Sequence, residues 1–450
     1  MPGPDAARHR SERPPGPPAP AKGAPHVVVV GAGAFGGWVA LWLCRRGARV
    51  TLLDAWGPGN ARASSGGETR VLRGMYGRDA LYTEWVARAL DLWVEAESAW
   101  GQRLYRPTGV LWMFSGDDGY ARASLPCLAA AGLSAVELAV SAAAARFPQI
   151  SFDGVSSVFY EERAGYLFAR RACRAVAAAV AAGGGEVREA AVRPAAIAGG
   201  RAGGGSGEMS ALTLSDGSRL GADQYVFACG PWLGELFPDV LGTRLNVTRQ
   251  EIFYFGTPAD GGARFGEAAM PVWMDLGGRV FYGIPGNEAR GFKIADDSRG
   301  EIFDPTHGDR LPSAADLDRA RRHLARRFPG MAGAPLLESR VCQYESTPDA
   351  QLLVDRHPQA GNVWLVGGGS GHGFKLGPAL GEYAAELILG GGKPRAELSL
   401  GRFDSLAAAA APISQFKSGA GHPGGGGPGR QGASDPGGAD GPGSLVAGRS

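Results

Sequence analysis

Read along the chain, apolar positions fall into two periods. The continuous apolar run at 26–30 predicts a buried strand, the stretch at 35–46 a helix, and the run at 49–54 a second strand. Leu81, Trp85, Ala89, Leu92 and Ala96 recur three or four residues apart, which puts them on one face of a long helix over 81–100. Another helix is predicted over 168–182, and a last one from Pro378. Further strands are predicted at 224–228, 249–255, 271–274, 279–284, 291–295 and 363–366. Residues 245–295 are rich in aromatic and β-branched side chains that alternate with polar ones, the mark of an antiparallel sheet. The βαβ start, the β-rich middle and the returning strand, glycine turn and helix predict an α/β fold: a Rossmann-like nucleotide-binding domain interrupted by an α+β domain with a mixed, largely antiparallel sheet.

Composition changes this picture mainly at the ends. Glycine supplies 73 of the 450 residues, well above the usual share of about 7%. Part of the excess is low complexity. Residues 1–25 form a Pro-rich arm and residues 418–450 a Gly-rich segment; both lack the apolar surface that offsets ordering entropy and are expected to be disordered. The patch at 199–207 reads as an enlarged hairpin loop. A net charge of +2 gives no electrostatic case for nucleic acid or an anionic membrane. No apolar run approaches the ~20 residues of a membrane span, and Arg8, Arg10 and Arg13 come without the apolar stretch of a secretory leader. Cys44, Cys127, Cys173, Cys229 and Cys342 are scattered without C-x-x-C spacing, which points to a reducing, cytoplasmic setting and to no metal site.

The rest of the glycine is positional. Gly31, Gly33 and Gly36 follow a strand and open a helix, and the next strand ends in Asp54. In this order the first glycine permits the tight turn, the second lets backbone approach a pyrophosphate, and the third lets helix and sheet pack closely. The helix N-terminus offers N–H groups to the phosphates, and Asp54 suits ribose hydroxyls. This motif does not separate FAD from NAD. A second strand, glycine turn and helix start lies at 363–378 and carries Gly369, Gly371, Gly373 and Lys375. Taken alone it is also an ordinary glycine-rich turn with an exposed lysine. Arg70 and Arg73 sit three apart, a spacing that also fits a solvated helix face. His323, within a run of arginines, and His357 read as structural, on a solvated helix face and in a turn.

Together these parts resemble the monomeric sarcosine oxidase and pipecolate oxidase family of FAD-dependent amine oxidases, within the D-amino-acid-oxidase-like superfamily. The resemblance runs from about 26 to 405 through GAGAFG with Asp54, SSGGETRVLR at 64–73, FACGPW at 227–232, FYGIPG at 281–286, GFK at 291–293, CQYESTPDAQLLVDRHP at 342–358 and GGSGHGFKLGPALG at 368–381. It implies FAD as cofactor, bound by 26–105, 158–232 and 343–405, with 106–157 and 233–342 as substrate domain and 406–450 as a disordered tail. It implies a covalent bond from Cys342 to the flavin. It places Lys293 as the residue that promotes reaction with oxygen, Arg70 over the flavin ring, and Tyr282 in the substrate cavity. Arg73 and Lys375 become the clamp on a substrate carboxylate. The implied reaction is oxidation of a small secondary or N-alkyl amino acid by hydride transfer to flavin, followed by imine hydrolysis and release of hydrogen peroxide. Amine and oxygen are then the partners, and a monomer is favoured.

Two departures bear on substrate. Gly66 and Asp297 stand where relatives carry histidines near the reacting amine. Sarcosine itself is therefore in doubt. The alternatives are a flavin-dependent dehydrogenase with another electron acceptor, and a dinucleotide-binding module without catalysis.

Overall fold

The computed structural model describes residues 23–193 and 207–406. The Pro-rich arm up to residue 22, the 199–207 patch apart from Gly207, and the Gly-rich segment lie outside the described residues.

Two large sheets organise the chain. The first has six strands in the order Leu353–His357, Ala360–Gly367, Gln224–Phe227, His26–Val30, Arg49–Asp54 and Glu186–Glu189. All neighbours are parallel except the edge strand Leu353–His357, which doubles back on Ala360–Gly367. Strands buried on both faces explain the continuous Val27–Val30 run, in which every side chain is at least 94% buried (6% exposed at most). Helices Gly36–Arg45, Ala80–Trp100, Ala169–Ala182 and Gly377–Ile388 share one core with this sheet, built around Trp38 and Trp93 with ring centroids 5.1 Å apart.

The second sheet has eight strands in the order Leu336–Ser346, Asn246–Phe255, Phe292–Asp296, Arg279–Ile284, Val272–Gly277, Val110–Phe114, Ser157–Glu161 and Val136–Leu138. It is antiparallel save for the pairing of Val272–Gly277 with Val110–Phe114. Strand alternation gives its two faces different tasks. Phe253, Phe255, Phe281, Phe292 and Ile294 pack with helix Ala314–Arg327. Their neighbours Tyr254, Tyr282, Lys293 and Ala295 therefore point the other way. Ile252, Tyr254 and Ala295 form a small cluster there, against which Tyr282 and Cys342 pack. A third sheet, Thr69–Leu72 with Gly165–Phe168 and Tyr105–Arg106, carries Arg70.

The predicted strands 26–30, 49–54 and 279–284 are observed as such, and the other predicted elements shift by one to three residues at their ends. His323 departs from its expected solvated face. It lies on the buried side of its helix with Ala320, Leu324 and Arg327, stacked on Phe281 at 4.0 Å and with Nε2 3.3 Å from Asp275 Oδ2. Burial pushes its pKa down to about 4. The reason is helical spacing: residues 320, 323, 324 and 327 form the inner stripe whatever the polarity of the residues between them. Arg70 and Arg73 lie in and just after a strand, so the helix-face alternative falls.

Candidate functional site

The parallel strands His26–Val30 and Ala360–Gly367 both end in glycine turns that open helices, and a cleft of about 380 Å³ lies across these ends. It is lined by Gly31, Gly33 and Asp54 on one side and by Gly369, Gly371 and Gly373 on the other. This is the crevice at the carboxyl ends of parallel strands where such folds bind ligands. Gly31 has φ +103°, and a Cβ there would stand 2.3 Å from the Ala228 carbonyl oxygen. A Cβ on Gly36 would meet the Gly31 carbonyl oxygen at 1.9 Å. Asp54 accepts hydrogen bonds from the Ala32 N–H at 2.8 Å and the Trp56 N–H at 3.0 Å, so it fixes the turn as well as facing the cleft. Burial raises its pKa. Gly371, at φ +80°, brings its turn against the Tyr344 ring, where a Cβ would come within 2.7 Å.

Arg70, Tyr344, Gly371 and Phe374 line this cleft and also a smaller cavity of about 60 Å³. The smaller cavity adds Arg73, Tyr282, Asp297, Cys342 and Lys375. Arg73 is 3% exposed and bonds to the Met75 carbonyl and to the Tyr120 hydroxyl, the latter at 3.3 Å. Its guanidinium lies over the Tyr76 ring at 4.7 Å. Lys375, also 3% exposed, donates to the His372 carbonyl at 2.9 Å and lies 4.9 Å from the centre of the same ring. Burial, reinforced by Arg73, pushes the Lys375 pKa well below the ordinary lysine value. A guanidinium fork beside a buried lysine suits a carboxylate, whose negative charge would favour the lysine's protonated form.

Arg70 is half-buried and bonds to the carbonyls of Thr69, at 2.8 Å, and of Ser64. Its Nη2 is 3.8 Å from Cys342 Sγ. The thiol thus faces a guanidinium. Lys293 is 1% exposed, and its ammonium donates to the Thr69 carbonyl at 3.0 Å behind the Tyr282 ring. Lys293 does not line either cavity. Burial, then the nearby Arg70, lowers its pKa to about 7.

The sequence profile of the FAD dependent oxidoreductase family matches residues 26–387. The chain belongs to this family. A curated relative, the monomeric sarcosine oxidase of Bacillus sp. (strain NS-129), is 28% identical over 373 residues, covering 81% of this chain and 93% of that protein. The peroxisomal sarcosine oxidase of Homo sapiens is 27% identical, covering 80% of this chain and 91% of the other. The N-methyl-L-tryptophan oxidase of Yersinia pestis is 28% identical, with 80% and 93% covered. Among solved structures, a modified fructosyl peptide oxidase from Aspergillus nidulans superposes with TM-score 0.73 at 21% identity, covering 86% of this chain and 97% of that one. The L-proline dehydrogenase of P. horikoshii does so at 0.72 and 19%, with 85% and 98% covered.

The fold class read from the sequence is therefore the observed one, and the protein is an FAD-dependent oxidoreductase. The residues present fit FAD. The glycines at 31, 33 and 36 leave a backbone cradle, Asp54 faces it, and the second glycine turn closes the far end beside Arg70. No helix among the described residues is long and apolar enough to cross a membrane, and no cluster there could hold a metal ion.

Several site residues carried no sequence signal. Tyr76, Trp112 and Tyr120 surround Arg73. Glu161 accepts from the Gly74 N–H at 2.7 Å and the Trp112 indole N–H at 2.7 Å. Glu345 accepts from the Gly368 N–H at 2.6 Å, and burial raises its pKa to about 7. Tyr76, Trp112, Tyr120 and Glu161 lie in segments whose pattern is that of ordinary core, and Glu345 lies within 342–358 without a signal of its own.

Gly31→Val tests the cradle. The variant should purify with little bound flavin, because the new side chain meets both a carbonyl oxygen and a strained φ. Gly47→Ala is the control: it has a similar φ of +85° and open space around it, and should keep its flavin. The ratio of flavin absorbance to protein absorbance decides, and equal ratios would disprove the cradle.

Proposed function

We propose that the protein oxidises a small secondary or N-alkyl amino acid, with oxygen as electron acceptor and hydrogen peroxide as product. The observation that carries this reading is the buried pair Arg73 and Lys375 in a cavity that shares four wall residues with the FAD cleft. The curated relatives named for sarcosine and N-methyl-L-tryptophan supply the substrate class.

Bound FAD supplies the two-electron redox chemistry. The chain supplies position and charge. Arg73 and Lys375 hold the substrate carboxylate, and the Tyr76 ring under both cations keeps them in place. The aromatic wall of Tyr282, Tyr344 and Phe374 excludes water and confines the substrate to one approach. Arg70 stands at the junction of cleft and cavity, where it favours negative charge on the cofactor edge. Cys342 is our candidate for the covalent link to FAD, since it lines the smaller cavity with its sulfur beside Arg70, which also borders the cleft. Lys293 is our candidate for promoting reaction with oxygen, through a buried positive charge near the same arginine. By the same reading 26–105, 158–232 and 343–405 hold FAD while 106–157 and 233–342 hold substrate.

The test of the carboxylate clamp is Arg73→Met. A charged hydrogen bond contributes about 1.5–3 kcal/mol, so KM for an N-alkyl amino acid should rise roughly 10- to 100-fold. The methyl ester of the same amino acid should lose far less. Equal losses for acid and ester would remove Arg73 from the clamp.

A further inference from the structure

The smaller cavity carries both signs of charge. Asp297 directly follows strand Phe292–Asp296, its N–H bonded to the Val280 carbonyl at 2.7 Å, and it is 9% exposed. Its Oδ1 accepts the Tyr344 hydroxyl proton in a 2.8 Å hydrogen bond. Arg73, Lys375, Tyr282 and Tyr344, from four other segments, act on it electrostatically. Two other carboxylates on this wall are held by arginines: Asp296 by Arg279 and Glu251 by Arg249. Arg299 lies 5.2 Å from the centre of the Tyr344 ring and donates to the Ser370 carbonyl.

An amino acid in neutral water is a zwitterion. Its ammonium has no lone pair, and oxidation at the adjacent carbon requires one. Either the small free-base fraction binds, or a group on the wall takes the proton. His372 is a poor acceptor: its Nδ1 is 3.1 Å from the Tyr76 hydroxyl, its Nε2 is 2.9 Å from the Ala350 carbonyl, and burial holds it neutral. Tyr282 and Tyr344 are half-buried side chains whose phenol pKa values are raised, so they keep their protons.

We propose that Asp297 is the base that receives the substrate ammonium's proton, so that the enzyme takes its amino acid as the zwitterion. This rests on the amino-acid oxidase reading above. The substrate carboxylate meets Arg73 and Lys375 while its ammonium meets Asp297. One N–H bond breaks, an O–H bond forms on the Asp297 carboxylate, and the electron pair stays on nitrogen. Nothing is oxidised or reduced in this step. The same bipolar wall selects against simple amines without a carboxylate and against carboxylates without an amine.

The experiment compares the pH dependence of kcat/KM for N-methylglycine, or for the best N-alkyl amino acid found, in wild type, Asp297→Asn and Asp297→Glu holoenzyme. Wild type should hold its rate well below the amine's own pKa. Asp297→Asn must wait for the free base, so its kcat/KM should climb about tenfold per pH unit towards that pKa and lie at least about 100-fold below wild type near neutrality. Asp297→Glu should keep the wild-type shape. Binding of a thioether carboxylate of the same size, which has no proton to give, should be unweakened in Asp297→Asn; it is read from the flavin spectrum. Superimposable profiles for wild type and Asp297→Asn would overturn the proposal. So would equal weakening of thioether and amine, which would make Asp297 a prop for the carboxylate clamp. A wild type that no N-alkyl amino acid reduces would instead bring down the functional reading itself, and this proposal with it.

Discussion

Lys293→Met is expected to lower oxygen consumption by at least about 100-fold, the usual loss when one preorganised electrostatic group is removed. Reduction of the flavin by substrate without oxygen should change little. The two half-reactions separate because Lys293 does not line the substrate cavity, where Arg73 and Lys375 do. Methionine preserves the length and the apolar stem of the side chain, so the expected loss reports charge. The charge also has a pH signature. With its pKa lowered to about 7, Lys293 is cationic below that value and neutral above it. The rate of reoxidation by oxygen should therefore fall as pH rises through about 7 in wild type, and the variant should lack that limb. Stopped-flow mixing of reduced enzyme with oxygenated buffer measures both effects. Unchanged reoxidation in Lys293→Met would point to an acceptor other than oxygen.

Cys342→Ser should have an equally large effect of a different kind. Wild-type protein precipitated in acid should retain its yellow colour in the pellet. The variant should release it wholly to the supernatant. The thiol is placed for this by register: Cys342 pairs with Gln250 in strand Asn246–Phe255, which aims it to the site face of the sheet, 3.8 Å from Arg70 Nη2. Serine keeps the size and removes the nucleophile. Arg70→Leu should slow the attachment without abolishing it, because the sulfur remains and only the guanidinium beside it is lost. Release of the colour from wild type would refute the linkage while leaving FAD binding intact.

The cofactor half of the protein was largely legible before the structure. His26–Val30, the glycines that follow and Asp54 obey strong local rules, because strand period, turn chemistry and helix start all act within about thirty residues. The face of the second sheet was legible in part, since alternation alone separates Phe292 and Ile294 from Lys293 and Ala295. The pairing of Leu336–Ser346 with Asn246–Phe255 was not legible, because it joins segments about ninety residues apart that carry no shared signal. The box around Arg73 was hidden for the same reason: Tyr120 belongs to a helix and Trp112 and Glu161 to two strands, and only tertiary packing brings them together. His323 shows the opposite failure, in which a run of arginines around it concealed a buried stripe. The departures at Gly66 and Asp297 were visible in the sequence. The cavity gave Asp297 a place beside Arg73 and Lys375, whereas Gly66 packs against Asn60, where a Cβ would meet the carbonyl oxygen at 1.8 Å.

The most direct measurement is an anaerobic titration of purified, flavin-loaded protein with a panel of N-alkyl and cyclic secondary amino acids, their esters and simple amines. The flavin absorbance is followed before and after admitting air. The account predicts bleaching by at least one carboxylate-bearing secondary amine, weaker bleaching by its ester at equal concentration, and recovery of colour in air with an equivalent of hydrogen peroxide. A flavin that no amine bleaches would contradict it, and would leave a dinucleotide-binding module with no amine chemistry.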